Sequence, residues 1–205
     1  MAEGMSTREA TIARWIEGLG EANGDPGGGA ASGVMLAISA GLMSMVAGYS
    51  DADHIRERAR RLQRDALDMA DGDAAASAAF GAAFRQEEGR EDAIREASLE
   101  ASRSSAELGG RARAAVADLE WLAAHGERTL VADVAVAAAA LRAALAGART
   151  NLSYDLGTLR AAGQSLDEVR RAHPELWSAV AGLGDAIARV DAVVQSIDDR
   201  AVPAG

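Results

Sequence analysis

Residues 26 to 50 read PGGGAASGVMLAISAGLMSMVAGYS, a run without a single charged side chain. Its length would satisfy a membrane span. Its composition would not: the flanks are acidic (Asp25, Asp51, Asp53), no basic cluster adjoins it, and Gly, Ala and Ser outnumber Leu. The run is therefore expected to be a helix buried by protein. Asp25 can act as its N-cap, with Pro26 in the first helical position. Gly33, Ala37 and Gly41 recur every four residues, a smooth stripe on which a neighbouring helix can pack closely.

Outward from this run the pattern remains helical. Ser6 and Glu9 have the spacing of a capping box, followed by Ile12, Trp15, Ile16 and Leu19. Residues 53 to 85 form an amphipathic stretch through Ile55, Ala59, Leu62, Ala66 and Met69, its arginines on the solvated face and a break expected at Asp71-Gly72-Asp73. One long helix is expected over residues 91 to 124, ended by Gly126. Then come the apolar run TLVADVAVAAAAL from Thr129, a short helix begun by Ser165 and Glu168 and stopped at Pro174, and a last helix. In that last helix Leu176, Val180, Leu183, Ile187, Val190, Val194 and Ile197 keep a four-three repeat suited to a bundle. No stretch alternates as a half-buried strand does. The fold class is all-α, with residues 1 to 205 expected to form a single domain.

Composition narrows the function. Hydrophobic residues make up 49% of the chain and aromatics only 3%, so the core must be built from small side chains. A net charge of −10 disfavours nucleic acid and anionic membrane as partners. The absence of cysteine removes disulfides and thiolate chemistry and suits a reducing compartment. With no signal peptide in view, a cytoplasmic location is expected. His54, His125 and His173 lack the i, i+3 or i, i+4 partners that would place two metal ligands on one helical face, so no metal site is expected.

Two features point to chemistry. Asp133 is an isolated carboxylate inside TLVADVAVAAAAL, where an unpaired charge would cost several kcal/mol if buried. It calls either for a structural arginine, such as Arg128 or Arg142, or for a ligand or proton-transfer role. Glycines 27 to 29 expose backbone N–H groups at a helix start and let an anion or a carbonyl oxygen approach without meeting a Cβ.

Taken together, the residues resemble a family. Pro26-Gly27-Gly28-Gly29 opens a small-residue helix ending in Ser44-Met45-Val46. It is followed by Met69 to Ala76, by Ala82-Ala83-Phe84-Arg85, by Gly126 with Leu130-Val131-Ala132-Asp133, and by Asn151-Leu152. In order and spacing, over roughly residues 6 to 156, these resemble the cyclodeaminase/cyclohydrolase family of folate enzymes. The resemblance implies an up-and-down bundle of about five main helices, typically a homodimer; the smallness of Gly33, Ala37 and Gly41 leads us to expect their stripe against another helix, across that dimer. It also implies a tetrahydrofolate derivative as substrate and no bound cofactor. The reaction would be either loss of ammonia from 5-formiminotetrahydrofolate or hydrolysis of methenyltetrahydrofolate. In that setting Asp133 becomes the candidate catalytic residue, while Pro26, Gly27, Gly28, Gly29 and Asn151 become candidate substrate-binding residues in the same cleft. The chain departs from the family pattern at Ala30 (usually Ser), at Glu127 (usually Asn), at Ala132 (usually Ser), and at Ser104-Ser105 (often two prolines). Those losses of hydrogen-bonding groups support an alternative, a non-catalytic helical dimer of the same fold.

Overall fold

A computed structural model describes residues 6–22, 26–161 and 164–201. Eight α-helices follow one another among these residues. They are α1 (Ile12–Leu19), α2 (Gly28–Tyr49), α3 (Asp53–Ala83), α4 (Arg90–Ala114), α5 (Val116–His125), α6 (Val131–Ala161), α7 (Leu166–Ala172) and α8 (Pro174–Ala201). A 3₁₀ turn over Arg128–Leu130 leads into α6. Five of the helices, α2, α3, α4, α6 and α8, are long, and they make the up-and-down bundle; no strand occurs among the described residues.

Helix α2 sits between α3 and α6 and runs antiparallel to both. Against α3 the register is set by missing side chains: a Cβ on Gly33 would lie 2.9 Å from the Ala70 Cβ and 3.0 Å from the Ala66 carbonyl. Gly41 faces Gln63, and Gly48 faces Arg56. Against α6, the Ser39 hydroxyl donates to the Ala137 carbonyl at 2.8 Å, and Gly147 leaves room for the Ser32 side chain. The small-residue stripe therefore packs on α3 of the same chain, where the sequence pointed to a second copy. Nor is α2 wholly buried: Leu36, Ala40, Met43, Val46 and Ala47 face the core, while Met35, Ile38, Met45 and Tyr49 stay exposed. Both α2 and the stretch Arg128–Arg160 are long and apolar enough to cross a membrane, and both serve here as bundle helices.

Several boundaries depart from expectation for identifiable reasons. Helix α1 is capped by Thr11, whose side chain accepts from the Arg14 N–H; Ser6 instead donates to Asp71 on α3. Only Trp15 of its apolar set is buried, against Ala30 and Ala70, and Ile12 and Ile16 are exposed. Helix α2 begins at Gly28 with Gly27 as N-cap, so Pro26 precedes the helix; Asp25 lies outside the described residues. Helix α3 passes through Asp71-Gly72-Asp73 without a break, because both carboxylates take partners from elsewhere in the fold rather than competing for their own backbone. The expected helix over 91 to 124 is divided at Ala115, whose N–H turns back to the Ala112 carbonyl, although Gly126 ends α5 as expected. Ser165 and Glu168 form the capping box of α7, and Pro174 is the first residue of α8.

Two glycines of opposite kind test this packing. Gly33→Leu should lower stability by about 3 kcal/mol, since a side chain there must push α3 away. Gly72→Ala, at an exposed helical position with open space around it, should raise stability by about 0.5–1 kcal/mol. Urea denaturation of both variants checks the pair.

Candidate active site

The first turn of α2 has N–H groups that its own helix cannot satisfy, and no side chain at the Gly27 N-cap to do so. The partner comes from α3. Asp73 Oδ2 accepts the Ala30 N–H at 2.9 Å, placing a carboxylate on the positive end of the α2 dipole. The glycine before Ala30 makes this possible: a Cβ on Gly29 would come within 2.0 Å of Asp73 Oδ1. The neighbouring Gly28 faces open space.

That open space is a cleft of about 570 Å³ between the start of α2, the second half of α3, the middle of α4 and the second half of α6. Besides Gly28, Gly29 and Asp73, its polar lining comprises Ser77, Arg85, Ser105, Asn151, Tyr154 and Asp155. Asn151 and Asp155 are one helical turn apart on α6 and share its inner face. Asp155 is 8% exposed. Burial, reinforced by the negative charge of Asp73, pushes its carboxyl up to about 7. The cleft thus holds two carboxylates in unlike settings, one anchored on backbone N–H and one inclined to keep a proton near neutrality. Such a pair can accept a proton at one point of a substrate and return it at another.

The residues expected from sequence divide. Gly28, Gly29 and Asn151 line this cleft; Pro26 and Gly27 adjoin it in sequence but do not line it. Asp133 stands elsewhere. It lies in the first turn of α6, half-buried, and 22 residues of continuous helix, about 33 Å, separate it from Asp155. The expectation that it faces the glycine cleft does not hold within one chain. Its cost in an apolar run is also smaller than the sequence implies, because a carboxylate in a first turn meets the helix dipole. No ion pair joins it to Arg128 or Arg142 among the described residues; Arg142 pairs with Asp191.

Asp73, read as part of a helix break, and Asp155 are the cleft carboxylates that sequence reasoning missed, and for Asp155 a signal exists. Leu141, Leu145, Ala148, Leu152, Asp155 and Leu159 step by four and three, and all are buried. A carboxylate in the core register of a long helix, one turn beyond Asn151, is a stronger oddity than one at a helix start.

Residues 11–164 match the formiminotransferase-cyclodeaminase family. The chain belongs to that family. Among solved structures, a formiminotetrahydrofolate cyclodeaminase from Thermotoga maritima superposes with a TM-score of 0.77 at 22% identity, covering 93% of this chain and 98% of that one. At that identity the likeness speaks for the shared fold. No curated protein sequence gives a significant match.

The departures from the family pattern can now be placed. Ala30 packs with Trp15 and Ala70, so a hydroxyl there would face the core beside α1. Glu127 accepts from the N–H and hydroxyl of Thr129 and caps the 3₁₀ turn, and Ala132 is exposed near the start of α6. None of the three lines the cleft, whereas Ser105 does.

The raised carboxyl has a consequence for stability. The folded chain holds this proton more tightly than an ordinary aspartate of 3.8, so its contribution is complete below about 4 and is lost as pH rises through about 7. Asp155→Asn should remove that loss, making the variant relatively more stable at pH 8 than at pH 4. Thermal melting of parent and variant across this range measures the difference.

Proposed function

We propose that the protein is an enzyme of one-carbon folate chemistry that converts 5-formiminotetrahydrofolate to the 5,10-methenyl compound with release of ammonia. The observation that carries this reading is the Asp73–Asp155 pair at the glycine start of α2. The formimino group is an amidine and carries positive charge when protonated, so a cleft walled by carboxylates favours it.

The residues suit the steps as follows. The substrate's N10 forms a bond to the formimino carbon, and the proton N10 then carries passes to an ionised carboxylate of the pair. The amino nitrogen on the same carbon takes a proton from the pair's other carboxyl, the carbon–nitrogen bond breaks, and ammonia leaves with that bond's electron pair. The methenyl cation remains, and the pair ends with as many protons as it began. Asp155, holding its proton near neutrality, serves as the acid, and Asp73 as the base and as the charge facing the cation. Asn151 and Tyr154 supply neutral hydrogen-bonding groups to the ring system. Hydrolysis of the methenyl compound would use the same pair with water as nucleophile, and one assay covers both reactions. Against the non-catalytic alternative stands the position of Ala30, Glu127 and Ala132 outside the cleft; of the departures from the family pattern, Ser105 lines it.

Formation or loss of the methenyl compound is followed by its near-ultraviolet absorption. Asp155→Asn should reduce turnover by about a hundredfold or more while leaving the chain folded, the range for a lost acid or base. Its parent should show an apparent ionisation near 7 in the rate profile. Parental rates in Asp155→Asn with both substrates would remove this assignment.

A homodimer belongs to the same proposal. Met35, Ile38, Met45 and Tyr49 stand exposed along the outer face of α2, with half-buried Leu42 in the same three-four register, and Val136 stands exposed on α6, the helix packed beside it. An apolar band of this kind on two adjoining helices suits a second copy applying the same band to itself. Ile38→Asp should shift the mass found by light scattering from two chains to one, with the helical circular dichroism retained.

A further inference from the structure

The cleft is charged unevenly along its length. On α3, Asp73, Ser77, Phe80 and Gly81 follow one another down the face that lines it, and Arg85 lies just past the end of that helix. The Arg85 side chain folds back over the helix: a Cβ on Gly81 would lie 3.5 Å from its Nη1. The guanidinium therefore stands near the level of Gly81, eight residues and about 12 Å along the axis from Asp73. Arg85 is the cation among the lining residues. It makes no ion pair or hydrogen bond among the described residues, unlike Arg58, Arg142 and Arg189, each of which holds a carboxylate on another helix. The ring of Phe80 also lines the cleft at the Arg85 end, one residue from Gly81, and packs on Phe84 at 5.0 Å.

We propose that Arg85 receives the carboxylate tail of the substrate and thereby fixes which way the substrate lies in the cleft. The proposal rests on the folate reading above and adds to it the direction of binding. A one-carbon folate is a dipolar ligand of matching order: a cationic amidine, a benzoyl ring, then a glutamate with two carboxylates. With the amidine at Asp73 and Asp155, the ring reaches Phe80 and the glutamate reaches the guanidinium, whose planar donor fork suits a carboxylate. The reverse orientation would set the glutamate against the Asp73 carboxylate and the amidine against a cation, so the same charges that favour one direction oppose the other. Arg85 is a binding residue in this scheme and takes no part in proton transfer.

Two stable probes separate this from the parent reading: 5-formyltetrahydrofolate, and 5-formyltetrahydropteroate capped as its methylamide, which lacks the glutamate and carries no carboxylate. Titration calorimetry on the whole chain should find the glutamate-bearing probe bound about tenfold more tightly, the scale of one hydrogen bond to a charged group. Arg85→Gln should abolish that preference, binding both probes as the parent binds the methylamide, and Arg85→Lys should restore part of it. Rising salt should erode the preference in the parent and leave Arg85→Gln unchanged. If Arg85→Gln keeps the preference, or weakens both probes equally, or if the parent shows none, the assignment of Arg85 is wrong while folate binding stands. If the parent binds neither probe, the folate reading itself fails and this assignment fails with it.

Discussion

One contact organises the site: the Asp73 carboxylate seated on the Ala30 N–H in the first turn of α2, with glycine at position 29 to let it in. A helix start without a side-chain cap leaves donors that need partners, and here that of Ala30 is satisfied across a helix pair. The same close approach continues down the pair through Gly33 against Ala66 and Ala70. Were α2 and α3 separated by the width of ordinary core side chains, Asp73 would not reach the helix end, and the cleft would lack its anchored charge.

The bundle around this pair is built to hold it in place. Ser39 ties α2 to the Ala137 carbonyl of α6, and Gly147 admits Ser32, which fixes α6 in register with α2 and so brings Asn151 and Asp155 to the glycine end. Leu108, Leu183 and Val190 fill the other side, with Gly109 admitting Leu183. The ion pairs between helices, such as Arg58 with Asp118 and Arg189 with Glu120, lie at the surface and contribute little to stability by themselves. Close packing of small residues carries the architecture, and the aromatic-poor composition follows from it.

A carboxyl with a raised ionisation gains its value from company. Asp155 is desolvated by the leucines above and below it in the α6 register, and Asp73 adds a negative charge whose own position is fixed by backbone N–H. Two like groups in unlike settings divide acid and base roles between them. Arg85, at the far end of the same helix face, turns this local chemistry into a directional cleft.

Read alone, the sequence determined the helical class, the burial pattern of α8, the capping box of α7, the stop at Gly126 and the family, because each depends on residues near one another in the chain. It also marked Gly28, Gly29 and Asn151 as residues to watch. It set Asp133 in the glycine cleft, whereas within one chain Asp133 stands at the far end of α6, because hydropathy registers an apolar run but not the fact that a helix begins within it, where a carboxylate is tolerated. It read Asp71-Gly72-Asp73 as a break, since local propensity cannot see that Ser6 and Ala30 supply partners from 65 and 43 residues away. Pairing Asp73 with Asp155, and setting Arg85 at the other end of their cleft, required the register of three helices packed side by side. That register is fixed by contacts between residues distant in the chain, so only the tertiary structure decided it.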